Sequence, residues 1–284
     1  MRELKAEHKV AVICRCLGVK RKSYYAWVKR ERCSRRVEDD RLRALIERIH
    51  EESDGTYGSR RMMHELRRRG EHVGRRRVRR LMSQMALKGV TRKLKRRVYQ
   101  LECEGLHAVD LVRRNWHPAG PNELWVADIT QINTWQGPLY LALVMDVWSR
   151  KVVGWSMQPH MKQSLVIEAL EMAVARRKPG AGLIHHSDHG SQYTSWAMGA
   201  TLRDAGILPS MGRVRTCYDN AVAESVFKTL KYERTNRRTY PTLAAAMSDV
   251  FEYLEGWYNT RRLHSKLGYM PPAEYEQLHG MDAA

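Results

Sequence analysis

The sequence predicts an α/β domain preceded by small all-α modules, and three observations carry that expectation. Strand-like apolar runs begin only after residue 122, helical periodicity occupies the residues before it, and one block of the N-terminal half holds most of the positive charge. At 284 residues the chain can bury one large core and smaller modules besides. Lys and Arg number 50 against 31 Asp and Glu, a net charge of +19, which points to a polyanionic partner, nucleic acid foremost. Residues 60–97 contain 16 Lys or Arg against only Glu65 and Glu71, so this block supplies +14 of the total. No run approaches the roughly 18 apolar residues that span a bilayer, and charges interrupt the first 25 residues. A soluble intracellular protein with no membrane partner is expected. Cys14, Cys16, Cys33, Cys103 and Cys217 are odd in number and irregular in spacing, so they read as reduced thiols and not as a disulfide framework or a structural zinc site.

In chain order, residues 1–36 form a partial helix-turn-helix. Val12, Ile13, Cys16 and Leu17 make an apolar stripe, Gly18-Val19 a turn, and Ser23 a cap for a short helix containing Tyr24, Tyr25 and Trp27. Tyr25 and Val28 stand at helical spacing, so the aromatic cluster reads as core. Residues 37–90 form a second module resembling helix-turn-helix. Leu42, Leu45, Ile46 and Ile49 lie on one stripe, Met62, Met63 and Leu66 suit a middle helix, and Val78, Leu81, Met82 and Met85 mark the last. Gly55, Gly58, Gly70 and Gly74 punctuate them. Around the last helix, Arg75, Arg76, Arg77, Arg79 and Arg80 suit DNA phosphates, with Arg75, Arg76, Arg79 and Arg80 the candidate contacts. A merely solvated basic face is the alternative. Residues 91–118, with Arg92, Lys93, Lys95, Arg96 and Arg97 and no period, read as a basic linker.

Residues 119–233 carry the α/β pattern. Residues 124–129, 138–147 and 151–157 are strand-like, with a turn at Ser149-Arg150. A helix follows over 164–177, then a buried strand over 182–186 that runs into Ser187-Asp188-His189-Gly190. Asp128 thus sits within the first strand and Asp188 just past a later one, where a carboxylate is costly unless paired or metal-bound. In residues 219–233, helical geometry places Glu224, Lys228 and Lys231 on one face and turns Ala223, Phe227 and Leu230 elsewhere. Carboxylates gathered at strand ends and one helix suit Mg²⁺, and two ions about 4 Å apart would clamp the attacking and leaving oxygens of a phosphodiester. Mn²⁺ satisfies the same oxygen ligands. Lysines beside them, Lys228 and Lys231, would fit DNA phosphate. Residues 234–284 are expected to form a C-terminal helical extension.

Fifty-nine residues separate Asp128 from Asp188 and 35 separate Asp188 from Glu224. With Trp125-Val126-Ala127-Asp128-Ile129-Thr130, His186-Ser187-Asp188-His189-Gly190-Ser191-Gln192-Tyr193 and Tyr218-Asp219-Asn220-Ala221-Val222-Ala223-Glu224-Ser225, this resembles the DDE transposase and retroviral integrase superfamily. More narrowly it resembles the OrfB transposases of the IS-three family of bacterial insertion sequences. Gly55-Thr56-Tyr57-Gly58-Ser59-Arg60-Arg61 is similar to that family's helix-turn-helix, and Trp257-Tyr258-Asn259-Thr260-Arg261-Arg262-Leu263-His264 with Leu267-Gly268-Tyr269-Met270-Pro271-Pro272 to its C-terminal signature. The resemblance implies an RNase H-like core and metal-dependent attack of water, then of a DNA 3′-hydroxyl, on phosphodiesters, with Asp128, Asp188 and Glu224 as catalytic metal ligands. It implies that Lys231 contacts DNA, that the enzyme works as an oligomer on double-stranded insertion-sequence ends and target in the bacterial cytoplasm at the nucleoid, and that an upstream-frame, OrfA-type product is its partner. Ser210-Met211-Gly212 and Asn115-Trp116 depart from common family residues without removing a ligand, and the paired CxxC of a retroviral zinc module is missing.

Other polar residues have plainer readings. Asp146 has no partner in the spacing and reads as structural, His185, His186 and His189 as packing or supporting groups, and Asp219 and Asn220 as a turn and helix cap. Tyr253, Leu254, Trp257 and Tyr258 follow helical spacing and read as core. Arg261, Arg262 and His264 fit either DNA contact or a solvated loop. Competing functions are a non-catalytic DNA-binding regulator with a degenerate integrase-like domain, against which the intact acid trio weighs, and a nuclease that hydrolyses without joining.

Overall fold

The computed structural model describes residues 8–29, 34–90, 109–113, 115–212 and 221–280. Cys33, Cys103, Cys217, the basic residues at 92–97 and the cap residues Asp219 and Asn220 lie outside the described residues. Helices α1 (Val10–Cys16) and α2 (Arg21–Lys29) make the first module. Ser23 lies inside α2 and not at its cap, because the helix begins two residues earlier. Tyr24 is buried, but Tyr25, Trp27 and Val28 are half exposed, since a nine-residue helix resting on α1 has one covered side. Helices α3 (Ser34–Glu52), α4 (Ser59–Arg68) and α5 (Arg75–Gln84) close a bundle around Leu42, Ile46, Ile49, Met62, Leu66, Val78 and Leu81.

The large domain is built on five strands in the order β3-β2-β1-β4-β5. β1 (Leu124–Thr134), β2 (Gly137–Asp146) and β3 (Val152–Gln158) form an antiparallel meander. Helix α6 (Gln163–Arg177) then crosses to β4 (Ile184–Ser187), parallel to β1, and α7 (Trp196–Asp204) leads to β5 (Leu208–Met211), parallel to β4. Neither α7 nor β5 is among the expected elements. β5 is four residues long and includes Pro209, so no alternation declares it. α6 and α7 cover one face of the sheet with Trp125, Ala127, Ala142 and Val144. The other face is covered by α8 (Ala221–Glu233), α9 (Leu243–Phe251) and the π-helical segment Glu252–Tyr258, which pack on Val126, Leu143 and Met145. At Gly154 a Cβ would lie 2.1 Å from the Ala169 carbonyl oxygen, so α6 lies on β3 closer than any side chain there allows. Among the described residues no helix is long and apolar enough to cross a membrane.

Two boundaries differ from the expected ones. The end of the supposed linker is part of the large domain, because Val112 is buried in its core and the Leu111 N–H donates to Ser210 Oγ at 3.0 Å. A division at residue 233 cuts through that core, which Tyr240, Ala246, Val250, Tyr253, Leu254 and Tyr258 complete. Farther on, Leu263 enters the helical bundle, its N–H donating to the Tyr57 hydroxyl at 3.0 Å, and Tyr269 stacks on His64. Helix α10 (Pro272–His279) is tied back through Glu276 to Lys151 and Arg177.

Arg262 and His264 are not a solvated loop. Arg262, 3% exposed, donates two bonds of 2.7 Å to Glu233 at the end of α8, and Arg61 of α4 and Tyr253 donate to the same carboxylate. Glu233 is therefore held charged by the Arg262 and Arg61 guanidiniums against the burial that opposes it. Removing one partner of such a pair leaves a buried uncompensated charge. Arg262→Ala is expected to lower the unfolding free energy in urea by about 3–5 kcal/mol, with Arg262→Lys recovering only part because an ammonium cannot fork onto the carboxylate.

Candidate active site

Side chains alternate along β1, sending Trp125 and Ala127 toward α6 and Val126 toward α8. Asp128 shares the parity of Val126. In the parallel pairing of β1 with β4, Val126 stands opposite His186, so two residues farther along each chain Asp128 and Asp188 are at the same level, just where β4 has ended. Sheet register alone thus brings together two acids that are distant in sequence. Asp128 Oδ1 accepts the Ile129 N–H at 2.8 Å, and the exposed Asp188 accepts the Gly190 N–H at 3.0 Å.

Glu224 lies in the first turn of α8, where the positive end of the helix favours a carboxylate. Val222, Ala223, Val226, Phe227 and Leu230 are buried and hold that helix on the sheet. Lys228 is exposed and pairs with Glu224 one turn away, and Lys231 is half-buried on the same side. Burial pushes the Asp128 carboxyl up to about 7, the negative charges of Asp188 and Glu224 push the same way, and Lys231 opposes them. Asp188, Glu224 and Lys231 therefore all act on Asp128.

Among the described residues no three ligand-type side chains stand close enough to form a metal-holding group. Glu224 is engaged by Lys228. The donor chemistry nevertheless fits a hard divalent cation: the three carboxylates offer only oxygen, and a carboxyl pushed up by burial and by acidic neighbours is one that a cation would return to its charged form. Two of the nearby histidines, His186 and His189, are engaged elsewhere. Burial, with His186 adding to it, pulls His185 down to about 4 and keeps it neutral. His186 Nδ1 lies 3.0 Å from Ser210 Oγ, and His189 Nε2 meets the Gly212 carbonyl. Asp146, fully buried, accepts from the Asn122 and Ser149 N–H groups, a structural role at the end of β2. Tyr193, buried beneath the Asp188 loop, belongs to the site's surroundings and was not singled out by spacing.

On α5, Arg75, Arg76 and Arg79 are exposed. Arg80 differs from its expected role: it pairs with the buried Asp39 at 2.7 Å, and Arg77 pairs with the same carboxylate at 2.8 Å. Asp39 sits on α3 beneath α5, and these two arginines fasten the helices together.

Because folding raises the Asp128 pKa from 3.8 to about 7, the folded state binds the extra proton, so this group's contribution to stability is present below pH 4 and is lost as pH rises toward 7. In chelator-treated protein, Asp128→Asn is expected to raise the thermal midpoint at pH 8, the gain shrinking to nothing toward pH 4. Asp188→Asn should in turn move the Asp128 titration, followed by infrared carboxyl absorption, to lower pH.

Residues 118–217 match a sequence profile described as an integrase core domain, residues 205–272 a second profile of that description, and residues 38–95 an HTH-like domain. An uncharacterized 31 kDa protein of insertion element IS600 from Shigella sonnei is 38% identical, covering 95% of this chain and 100% of that one. The transposase for insertion sequence element IS629, also from Shigella sonnei, is 36% identical over 98% of this chain and 94% of its own. Transposase InsF for insertion sequence IS3A of Escherichia coli K12 is 35% identical over 95% of each. With such identity along nearly the whole length of both partners, and a sheet whose register aligns two of the three acids, the chain belongs to the integrase-core transposases of bacterial insertion sequences, of the IS-three type, with an RNase H-like catalytic domain.

Proposed function

We propose that this transposase cuts and rejoins DNA strands at insertion-sequence ends by holding two Mg²⁺ ions on Asp128, Asp188 and Glu224, with Mn²⁺ able to replace them. The observation that carries this reading is the alignment of Asp128 with Asp188 across β1 and β4, with Glu224 acting on the same carboxyl. Divalent ions bound there would lower the pKa of attacking water and stabilise charge on the phosphodiester. Asp128 yields its proton as the cation binds. Lys231, whose charge counters the upward push on the Asp128 carboxyl, is the proposed contact for a DNA phosphate. Lys228 pairs with Glu224, and were that carboxylate to hold a cation the Lys228 ammonium would be free to pair with the DNA backbone.

Arg75, Arg76 and Arg79 on the exposed side of α5 are the proposed phosphate contacts of the helix-turn-helix module, with double-stranded element ends and target as substrates. Arg80 contributes less, being engaged by Asp39. The enzyme is proposed to act in the bacterial cytoplasm at the nucleoid, as an oligomer on DNA, with an upstream-frame product as partner.

The test is cleavage and joining of a labelled duplex carrying the element's end. Glu224→Gln is expected to keep DNA binding and lose on the order of 10²–10³-fold or more in activity. Should wild type and variant both bind and neither cut, even with the upstream-frame product added, the protein is a DNA-binding regulator instead. In salt titrations of binding, Arg75→Ala, Arg76→Ala and Arg79→Ala should each reduce the slope of log K against log salt by about 1, with Arg80→Ala reducing it less.

A further inference from the structure

The loop after β4 doubles back beneath the acids. The Gly190 N–H donates to Asp188 Oδ1 at 3.0 Å, and the Gly190 carbonyl accepts the N–H groups of Tyr193 and Thr194 at 2.9 and 3.2 Å. This turn folds the Tyr193 ring against Gly190. A Cβ built on Gly190 would lie 3.0 Å from Asp188 Oδ1, 3.1 Å from Gln192 Oε1 and 3.6 Å from Tyr193 Cδ2, so the carboxylate and the ring edge both stand close to this glycine, with little room for a side chain.

The ring itself is core. It is 5% exposed, lies with Trp125 and Ala127 on the α6 and α7 side of the sheet, and its centroid is 6.1 Å from that of His185. Its hydroxyl, by contrast, is buried and has no hydrogen-bond partner among the described residues. Phenylalanine would fill the same space without burying an unmet donor, so the hydroxyl costs stability unless something completes it. Burial and the negative charges of Asp128 and Asp188 hold the phenol well above its ordinary range, which makes it a donor and not a base.

We propose that Tyr193 is a positioning residue of the cation site, its hydroxyl donating a hydrogen bond to the Asp188 carboxylate when the cation is bound and so fixing the direction from which that carboxylate approaches the ion. The inference rests on the reading of Asp128, Asp188 and Glu224 as cation ligands. The chemistry is that of an outer hydrogen bond orienting a ligand, a role that tunes affinity without touching the metal. His185 Nε2 is also buried without a partner and lies close by, and a hydroxyl serving only to pack against it would be structural.

Tyr193→Phe separates the two, since it keeps the ring and removes only the oxygen. The full-length chain is titrated with Mn²⁺ and free ion is read by electron paramagnetic resonance, while thermal unfolding is followed in chelator. The expected result is an unchanged or higher midpoint without metal, together with a Mn²⁺ dissociation constant raised about tenfold, and no binding in Asp188→Asn. A lower midpoint without metal, or Mn²⁺ binding within about twofold of wild type against the tenfold expected of an outer-shell partner, overturns the role of Tyr193 while leaving the carboxylate site standing. If the wild-type chain binds no Mn²⁺, the cation reading falls and Tyr193 with it.

Discussion

Asp128 and Asp188 each stand two residues past the last paired positions of two parallel strands, where burial opposes the Asp128 charge and Asp188 adds a repulsion. It could be relieved by separating the strands, by protonation or by a cation. The first is blocked, because β1 is the middle strand of five, hydrogen-bonded to β2 along its length and to β4 over three residues, with a packed layer on each face. The second is what burial and the neighbouring charges impose on Asp128. The third would exchange one proton for a divalent ion, so under the proposed reading the rigidity of the sheet would turn an unfavourable arrangement into a binding site.

The third acid depends on a different constraint. α8 is fixed to the sheet by Val226, Phe227 and Leu230 and at its far end by Glu233, whose carboxylate gathers Arg262, Arg61 and Tyr253. Glu233 stands nine positions after Glu224, about 14 Å along the helix at 1.5 Å per residue. A buried ionic cluster is poor evidence of stability gained, since well-packed apolar groups often do as well. Its geometry matters more: a forked guanidinium specifies one position and one rotation for the end of the helix. Because Arg61 comes from the HTH-like bundle, the helix that carries Glu224 and that bundle share one anchor.

Local rules made some of this legible and not the rest. Asp128 and Asp188 could be read because strand alternation and a parallel crossover turn sequence spacing into proximity. The face of α8 could be read because 100° per residue separates Glu224 from Phe227 and Leu230. Glu233 and Arg262 carry no such signal: they are 29 residues apart on different elements, and neither periodicity nor charge pattern joins them. Tyr25 and Val28 looked like core by spacing, but spacing states which residues share a side and not whether anything covers it. Tyr193 reads as an ordinary aromatic until its hydroxyl is seen to be unmet. The four-residue β5 is defined by its pairing with β4, which no window of sequence contains.

Charge is where the sequence misleads most instructively. Residues 60–97 carry a large surplus of arginine and lysine, and counting alone suggests a correspondingly large DNA footprint. Several of those charges are directed inward or toward neighbours outside the block. Arg61 serves Glu233, Arg68 serves Glu274, Arg69 serves Glu52, and Arg77 and Arg80 share Asp39. Each pair spends a cation on joining α4 or α5 to another element. The arginines left facing outward on α5 occupy one side of one helix, Arg75, Arg76 and Arg79. A helix side of that width would match a single groove, so under the proposed reading the same basic block would both assemble the module and offer a narrow binding edge, and the net charge would measure the sum of the two tasks.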